Sequence, residues 1–447
     1  MQIVLLSGGS GKRLWPLSNE TRSKQFLKLL PAVDGGKESM VQRVFHQIKD
    51  AGINSPITIA TGSAQEDSIR NQVKENVDII LEPERRNTFP AIVLACSHLK
   101  FNKHCNDDEV VIVLPVDPFA DMNFFKYLLK METAVKKDIA DLILLGIKPT
   151  YPSEKYGYIM PQGVFEDGVG KVDSFKEKPN LQTAQKLLGQ RALWNAGVFA
   201  FKLGWLWKIV EQVIRPRSFD EVLKNYSKLN NNSFDYEVVE KTKSIALVCY
   251  DGTWKDLGTW NTLCEEMSGD NIGQVIIGEE TINTNVINEL GIPVVVLGAK
   301  NMVIATSPDG ILVSDKPKSS YLKPYVDDLN QRPMFEERRW GKYTVLDYNE
   351  YGDNQKSLTK NLFIESGKAL SYQRHKKRDE IWTIVDGTGD LIIDDHIRNI
   401  KRGDVAYITK GMKHAIRATT DMHIIEVQIG SDLCEEDIEH IDYEWYK

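Results

Sequence analysis

Short unbroken apolar runs alternate with helix-like stretches through roughly the first 270 positions of the chain. Ile3–Ser7, Pro56–Ala60, Val110–Pro115 and Leu142–Ile147 are continuous runs of the kind that strands buried on both faces require. Between them, Ala91–Lys100 and Phe124–Lys136 carry helical spacing. Strands alternating with helices predict an α/β sheet in residues 1–270, with ligands held at the carboxyl ends of its strands.

The texture changes over residues 271–330. Short β-branched runs (Gln274–Ile277, Pro293–Leu297, Met302–Ala305, Ile311–Ser314) are punctuated by Gly and Asn. They predict a small β-rich segment with solenoid-like stacking, in the manner of a left-handed β-helix, although no clean repeat period is visible. Residues 326–340, VDDLNQRPMFEERRW, are polar, contain Pro333 and read as a boundary. Residues 331–447 then carry regularly spaced short strands: Leu370–Tyr372, Trp382–Val385, Asp390–Ile393, Val405–Ile408 and Ile424–Val427. That spacing predicts an all-β barrel or jelly roll.

At 447 residues the chain can bury the cores of two or three domains. Its formal net charge of -7 excludes nucleic acid and anionic membrane as main partners, since both demand a basic excess. The N-terminal apolar run is too short for a signal peptide or a membrane span, so a cytoplasmic location is expected. Five scattered cysteines without a CxxC pair predict free thiols.

The candidate chemistry begins directly after the first strand. Gly8, Gly9 and Gly11 allow backbone N–H groups to approach a polyphosphate closely. The segment is not a P-loop, because Arg13 follows Lys12 where Ser or Thr is needed. Arg13 and Lys24 supply two cations close to the loop, suited to the negative charge that grows on a departing pyrophosphate. Asp117 ends the strand VIVLPVD, and Asp256 sits in TWKDLGTW. Two carboxylates meeting at one site make oxygen ligands for Mg²⁺.

These segments resemble the bacterial mannose-1-phosphate guanylyltransferases. The likeness runs through GGSGKRLWPLS…KQFL, EPERRNTFPA (82–91), VLPVD (113–117), FKEKP (175–179), WNAGVFAF (194–201) and FDYEVVEK continuing to WKDLGTW (254–260). It implies a Rossmann-like nucleotidyltransferase domain that joins GTP to mannose 1-phosphate, with GDP-mannose and pyrophosphate as products. Position by position, it implies that Arg13 and Lys24 neutralise the triphosphate cradled by Gly8, Gly9 and Gly11. Glu82, Arg86, Asn87 and Thr88 would hold the nucleotide. Gly157, Glu177, Lys178 and Asn195 would contact the sugar phosphate, and Asp117 and Asp256 would hold Mg²⁺. The chain departs from the family at Ser23, where Pro is usual, and at Pro118, where His is frequent; neither change removes a charge. Homo-oligomerisation is left open.

In the third block the spacing of Gln373, His375, Glu380 and His414 resembles the metal-binding motifs of cupins, which implies a site for Zn²⁺ or another divalent metal. In longer family members this block is a mannose-6-phosphate isomerase whose motif reads QxHxHRxEHW. Here Lys377 and Ile381 stand where that motif has histidines. The expectation is therefore a domain that can bind metal but isomerises poorly or not at all. The alternatives are a bifunctional enzyme and a catalytically silent nucleotide-sugar sensor, although intact Arg13, Lys24, Asp117 and Asp256 argue against silence.

Overall fold

The structure is a computed structural model. It describes residues 1–447 apart from 10, 74–76, 167, 268, 270, 330, 435–436, 444 and 446–447. Ser10 of the glycine segment therefore lies outside the described residues. The chain separates into two compact units: residues 1–14 with 23–268, and residues 15–22 with 269–447.

The first unit is built on a nine-stranded sheet. Its strands are β1 (Gln2–Leu6), β2 (Ile57–Gly62), β3 (Asp78–Glu82), β4 (Val110–Pro115), β5 (Leu142–Ile147), β6 (Tyr158–Glu166), β7 (Val169–Lys176), β8 (Leu193–Lys202) and β9 (Ile245–Tyr250). The spatial order is β3-β2-β1-β4-β8-β5-β9-β7-β6. Strands β1 to β4 pair in parallel, while β8 runs antiparallel to β4 and β5.

Alternation along the strands explains the apolar runs. Ile3, Leu5, Ile112 and Leu114 pack to one side, against α1 (Met40–Asp50) and α3 (Met122–Lys136). Val4, Val111 and Val113 pack to the other, against α2 (Thr88–Ser97). Every residue of α2 from Phe89 to Ser97 is buried, so that helix is apolar all round and not amphipathic. The α/β expectation is borne out. The hairpin β6–β7 was not anticipated, because its residues alternate polar and apolar and include exposed positions.

In the second unit, short parallel strands stack. Asn271–Ile272 pairs with Asn285–Asn288, which pairs with Met302–Ser307, and Val275–Ile277 pairs with Val294–Val296. Each strand pairs in parallel with the next but one in the chain, which is the solenoid-like stacking expected of this segment. Gly310–Asp315 closes this stack antiparallel to Met302–Ser307, and from Phe335 onward the chain forms two sheets of a β-barrel. Continuing the numbering, its strands are β10 (Phe335–Arg338), β11 (Gly341–Glu350), β12 (Lys356–Ile364), β13 (Gln373–His375), β14 (Arg378–Asp386), β15 (Thr388–Ile393), β16 (His396–Lys401), β17 (Val405–Ile408), β18 (His414–Ala418), β19 (Met422–Gly430) and β20 (Ile438–His440). One sheet runs β10-β11-β12-β19-β14-β17 and the other β16-β15-β18-β13-β20. Leu370–Tyr372 is not a strand; an isolated bridge at Ala369 precedes it and the strand begins at Gln373. Among the described residues no helix is long and apolar enough to cross a membrane, and all five cysteines are free thiols.

Candidate active site

Three separate segments converge at the carboxyl edge of the first sheet. Asp117 follows β4 by two residues. A short strand, Pro118–Ala120, then pairs with Trp254–Asp256, and the register sets Asp256 opposite Pro118. That ribbon brings two aspartates 139 positions apart in sequence around the same point. Lys24 enters from a 3₁₀ turn. Its ammonium lies 2.7 Å from Asp117 Oδ2 and 3.9 Å from Asp256 Oδ1. Burial alone would lower the Lys24 pKa, but the two carboxylates hold it above its ordinary value. Burial alone would likewise raise Asp117, and the attraction of Lys24 holds its carboxyl below the usual range. Both carboxylates reach one cation and keep about a third of their surface open, a donor set that suits an oxygen-liking divalent ion.

The turn that carries Lys24 is tied to the glycine loop. The Ser23 hydroxyl donates to Gly9 O at 3.1 Å and accepts from Gln65 Nε2 at 2.6 Å. Gln25 Nε2 donates to Ser7 O at 3.1 Å. Serine at position 23, the departure from the family pattern, thus acts as a tether. Arg13 is exposed at the rim, and its charge is felt by both Lys24 and Asp117. Gly8 faces Glu82, whose Oε1 would lie 3.0 Å from an added Cβ.

The residues expected to hold the nucleotide are engaged mostly with neighbouring loops. Glu82 Oε2 accepts from the Tyr226 hydroxyl at 2.7 Å. Burial raises the Glu82 carboxyl above its ordinary range, and that hydrogen bond opposes the rise. Arg86 bonds Leu229 O and Glu84. Asn87 caps α2, and the Thr88 hydroxyl accepts from Phe234 N at 2.9 Å. These three residues pin the loop before α2 to residues 229–234.

An open cleft of about 180 Å³ joins Asp117 and Asp256 to Gly157, Glu177 and Asn195. Gly157 is required there: a Cβ would sit 2.5 Å from Glu177 Oε2 and 2.6 Å from Phe175 Cζ. Asn195 is locked at three points. Its backbone N–H donates to Gly157 O at 2.8 Å, its Oδ1 accepts from Gly197 N at 3.1 Å, and its Nδ2 donates to Asp235 Oδ1 at 2.7 Å. Lys178 lies outside the lining and pairs with Glu177 Oε1 at 2.8 Å. Four lining residues, Lys155, Tyr156, Asp235 and Trp254, were not singled out from sequence. The carboxyl of Asp235 is pushed up to about 7 by burial and by repulsion from Glu177.

The barrel encloses the second cluster. Ligand atoms of His375, Glu380 and His414 all lie within 4.8 Å of one another, and all three residues are buried. His375 Nε2 is 3.1 Å from Glu380 Oε1, and His414 Nε2 is 3.4 Å from Oε2. Gln373 Nε2 lies 3.4 Å from His375 Nε2. Burial alone would raise the Glu380 carboxyl, but the two imidazoles hold it well below its ordinary value. Glu380 Oε2 and His414 Nε2 are buried and, although 3.4 Å apart, neither makes a well-aligned hydrogen bond among the described residues, which is what a metal-ready set presents.

The two substitutions expected to harm this cluster do not face it. Lys377 is half exposed and pairs with Asp432 at 2.8 Å. Along β14, Arg378, Glu380 and Trp382 are buried, while Asp379, Ile381 and Thr383 alternate to the other face. Reading the motif as linear neighbours of the ligands was wrong, because a strand turns successive side chains to opposite sides.

The sequence matches the nucleotidyl transferase family over residues 2–271. The chain belongs to that family. A second match, to the mannose-6-phosphate isomerase C-terminal family, covers residues 328–443. A relative from Vibrio cholerae described as a putative mannose-1-phosphate guanylyltransferase is 31% identical, over 97% of this chain and 98% of its own. The xanthan biosynthesis protein XanB of Xanthomonas campestris is also 31% identical, over 97% of each chain. A crystal structure from Thermus thermophilus, described as a mannose-1-phosphate geranyltransferase, superposes with a TM-score of 0.61 at 27% identity, covering 74% of this chain and 99% of that one. The resemblance drawn from the motifs is borne out, as is the pairing of a nucleotidyltransferase domain with a cupin-type barrel. This member of the family is a nucleotidyltransferase, and families of both matched kinds use divalent metals.

Proposed function

We propose that the chain transfers GMP from GTP to α-D-mannose 1-phosphate, forming GDP-mannose and releasing pyrophosphate. The observation that carries this reading is the meeting of Lys24, Asp117 and Asp256 at the mouth of a polar cleft lined by Gly157, Glu177 and Asn195. A phosphate oxygen of the sugar phosphate attacks the α-phosphorus in line, and the pyrophosphate oxygen leaves. The nucleophile is already anionic, so no general base is needed, and catalysis comes from positioning and charge. Arg13 and Lys24 neutralise the triphosphate, and the glycine loop leaves room for its oxygens. Glu177 and Asn195 are suited to sugar hydroxyls, with the amide held in one orientation by Asp235 and Gly197. Asp117 and Asp256 would hold Mg²⁺, which would supply positive charge to screen the phosphates. A pyrophosphate-release assay of four nucleoside triphosphates against several sugar 1-phosphates tests the reading. The pair GTP and mannose 1-phosphate is expected to exceed all others; a tenfold preference for UTP or dTTP with glucose 1-phosphate would overturn it.

A second reading is favoured by the barrel. His375, Glu380 and His414, with Gln373, would hold Zn²⁺ or another divalent metal, which would supply Lewis-acid polarisation of an open-chain sugar's carbonyl. With Lys377 and Ile381 facing away from the interior, the reason to expect a poor isomerase falls. Conversion of fructose 6-phosphate to mannose 6-phosphate is then a second activity of the chain. A coupled assay on full-length protein with Zn²⁺, Co²⁺ or Mn²⁺ tests it, and a metal-loaded, inactive protein would refute it.

A further inference from the structure

Isomerisation needs a base to move a proton between neighbouring carbons, and the metal-ready cluster leaves that base unassigned. Three adjacent strands of the barrel supply one. Along β12, Leu358, Lys360, Leu362 and Ile364 face inward; along β19, Met422, Ile424, Glu426 and Gln428 do. The register sets Lys360 opposite Glu426, Glu426 opposite Trp382, and Gln428 opposite Glu380. Two polar rows therefore cross the inner face. One holds Glu380 and Gln428; the next holds Lys360 and Glu426. Strand geometry separates the rows by about 7 Å.

The second row is deeply buried, with Lys360 4% and Glu426 5% exposed. Lys360 Nζ lies 3.9 Å from Glu426 Oε2 and 4.5 Å above the centre of the Tyr343 ring. The Trp382 indole N–H donates to Glu426 Oε1 at 3.1 Å, and Gln428 Nε2 donates to Oε2 at 3.1 Å. Gln428 Nε2 also lies 3.3 Å from Glu380 Oε1, which links the two rows. A buried ion pair is poor value for stability, since apolar residues of similar size do as well or better. Arg378, the other inward cation of β14, is engaged by Glu380 at 2.9 Å and by Cys434 O at 2.7 Å. On the described parts of these three strands, Glu426 is the inward carboxylate outside the metal-ready set.

We propose that Glu426 is the carbon base of an aldose–ketose isomerisation inside the barrel, with Lys360 as its oxygen acid. The proposal rests on the isomerase reading. The Glu426 carboxylate removes the proton from the carbon beside the carbonyl. The freed C–H pair forms a carbon–carbon double bond, the carbonyl π pair moves onto its oxygen, and Lys360 gives that oxygen a proton. Lys360 recovers a proton from the neighbouring hydroxyl as its oxygen becomes the new carbonyl. Glu426 returns its proton to the former carbonyl carbon. No net oxidation occurs, and both protein groups end as they began. Trp382 and Gln428 keep the carboxylate fixed and aimed.

The test uses full-length protein, as wild type, Glu426→Gln and Lys360→Met. It reads metal content by plasma mass spectrometry, binding of fructose 6-phosphate by calorimetry, turnover, and washout of carbon-bound deuterium from labelled fructose 6-phosphate. Glu426→Gln should keep metal and binding while turnover and washout fall about 10³-fold. Lys360→Met should keep metal and lose turnover more than washout, because carbon deprotonation precedes full oxygen proton transfer. Turnover of Glu426→Gln within tenfold of wild type overturns the assignment. Loss of metal from either variant overturns it in favour of a structural role for the pair. A metal-loaded wild type that neither isomerises nor washes out label overturns the isomerase reading and this proposal with it.

Discussion

Lys24 reaches both aspartates of the cleft, at 2.7 Å from Asp117 Oδ2 and 3.9 Å from Asp256 Oδ1. Its side chain is only 10% exposed, so nothing nearby in solvent replaces it. Lys24→Met is expected to lower kcat for nucleotidyl transfer by about 10²-fold or more, as losing a charge partner of the developing pyrophosphate does. Lys24→Arg should recover little, because a planar fork does not fit a site shaped for a compact ammonium. Pyrophosphate release measures both; activity within threefold of wild type in Lys24→Met would take the residue out of the reaction.

Gly157→Ala isolates the sugar side of the cleft. The new methyl would meet Glu177 Oε2 at 2.5 Å and Phe175 Cζ at 2.6 Å, so Glu177 must move. KM for the sugar 1-phosphate is expected to rise about tenfold, in line with loss of one good polar contact, while KM for the triphosphate changes little. Equal effects on both substrates would show that the glycine serves the fold of the cleft as a whole.

Asp235 gives the cleft a pH dependence. Its carboxyl is pushed up to about 7 from an ordinary 3.8. Between those values the unfolded chain releases a proton that the folded chain keeps, so stability is lost as pH rises through that window. The loss is complete above about pH 7, where Asp235 ionises beside Glu177. Asp235→Asn should flatten the dependence of melting temperature on pH between 5 and 8, with a gain of a few degrees at pH 8. Parallel melting curves for the two proteins would mean that another group carries the dependence.

The barrel site is tested by removing one ligand. His414→Ala should lose bound divalent metal on dialysis, and its melting temperature should stop responding to EDTA, since a ligand that binds only the folded state stabilises it by mass action. Retention of stoichiometric metal would place the ion elsewhere.

Much of this arrangement was legible in the chain. Asp117 stood out because an apolar run ends beside it, and Asp256 because it sits among tryptophans and a glycine. The convergence of the two was not legible, since it depends on a three-residue ribbon joining segments far apart in sequence. Asp235 lies inside a motif that was noticed, yet its role rests on burial and on Glu177, neither of which local sequence records. Lys377 and Ile381 misled for the opposite reason. They are adjacent in sequence to inward residues, and strand alternation and a surface ion pair turn them away. Lys360 and Glu426 lie on different strands and become a pair only through register.

The division of the chain into units carries a consequence for any attempt to separate its activities. Residues 15–22 pack with the second unit, yet they lie between Arg13 and Lys24 in the chain. Within the second unit, Arg22 pairs with Glu289 at 2.6 Å, Asn19 bonds Asp309 at 2.8 Å, and the Ser307 hydroxyl bonds Pro16 O at 2.8 Å. Cutting near residue 270, where the sequence invites a boundary, would strip these eight residues of their partners. Residues 15–22 would then be set loose, at an entropic disadvantage of about 1–2 kcal/mol for each residue that has to be ordered again. A chain shortened there would keep every residue of the transferase cleft, while residues 15–22 lost the groups they pack with.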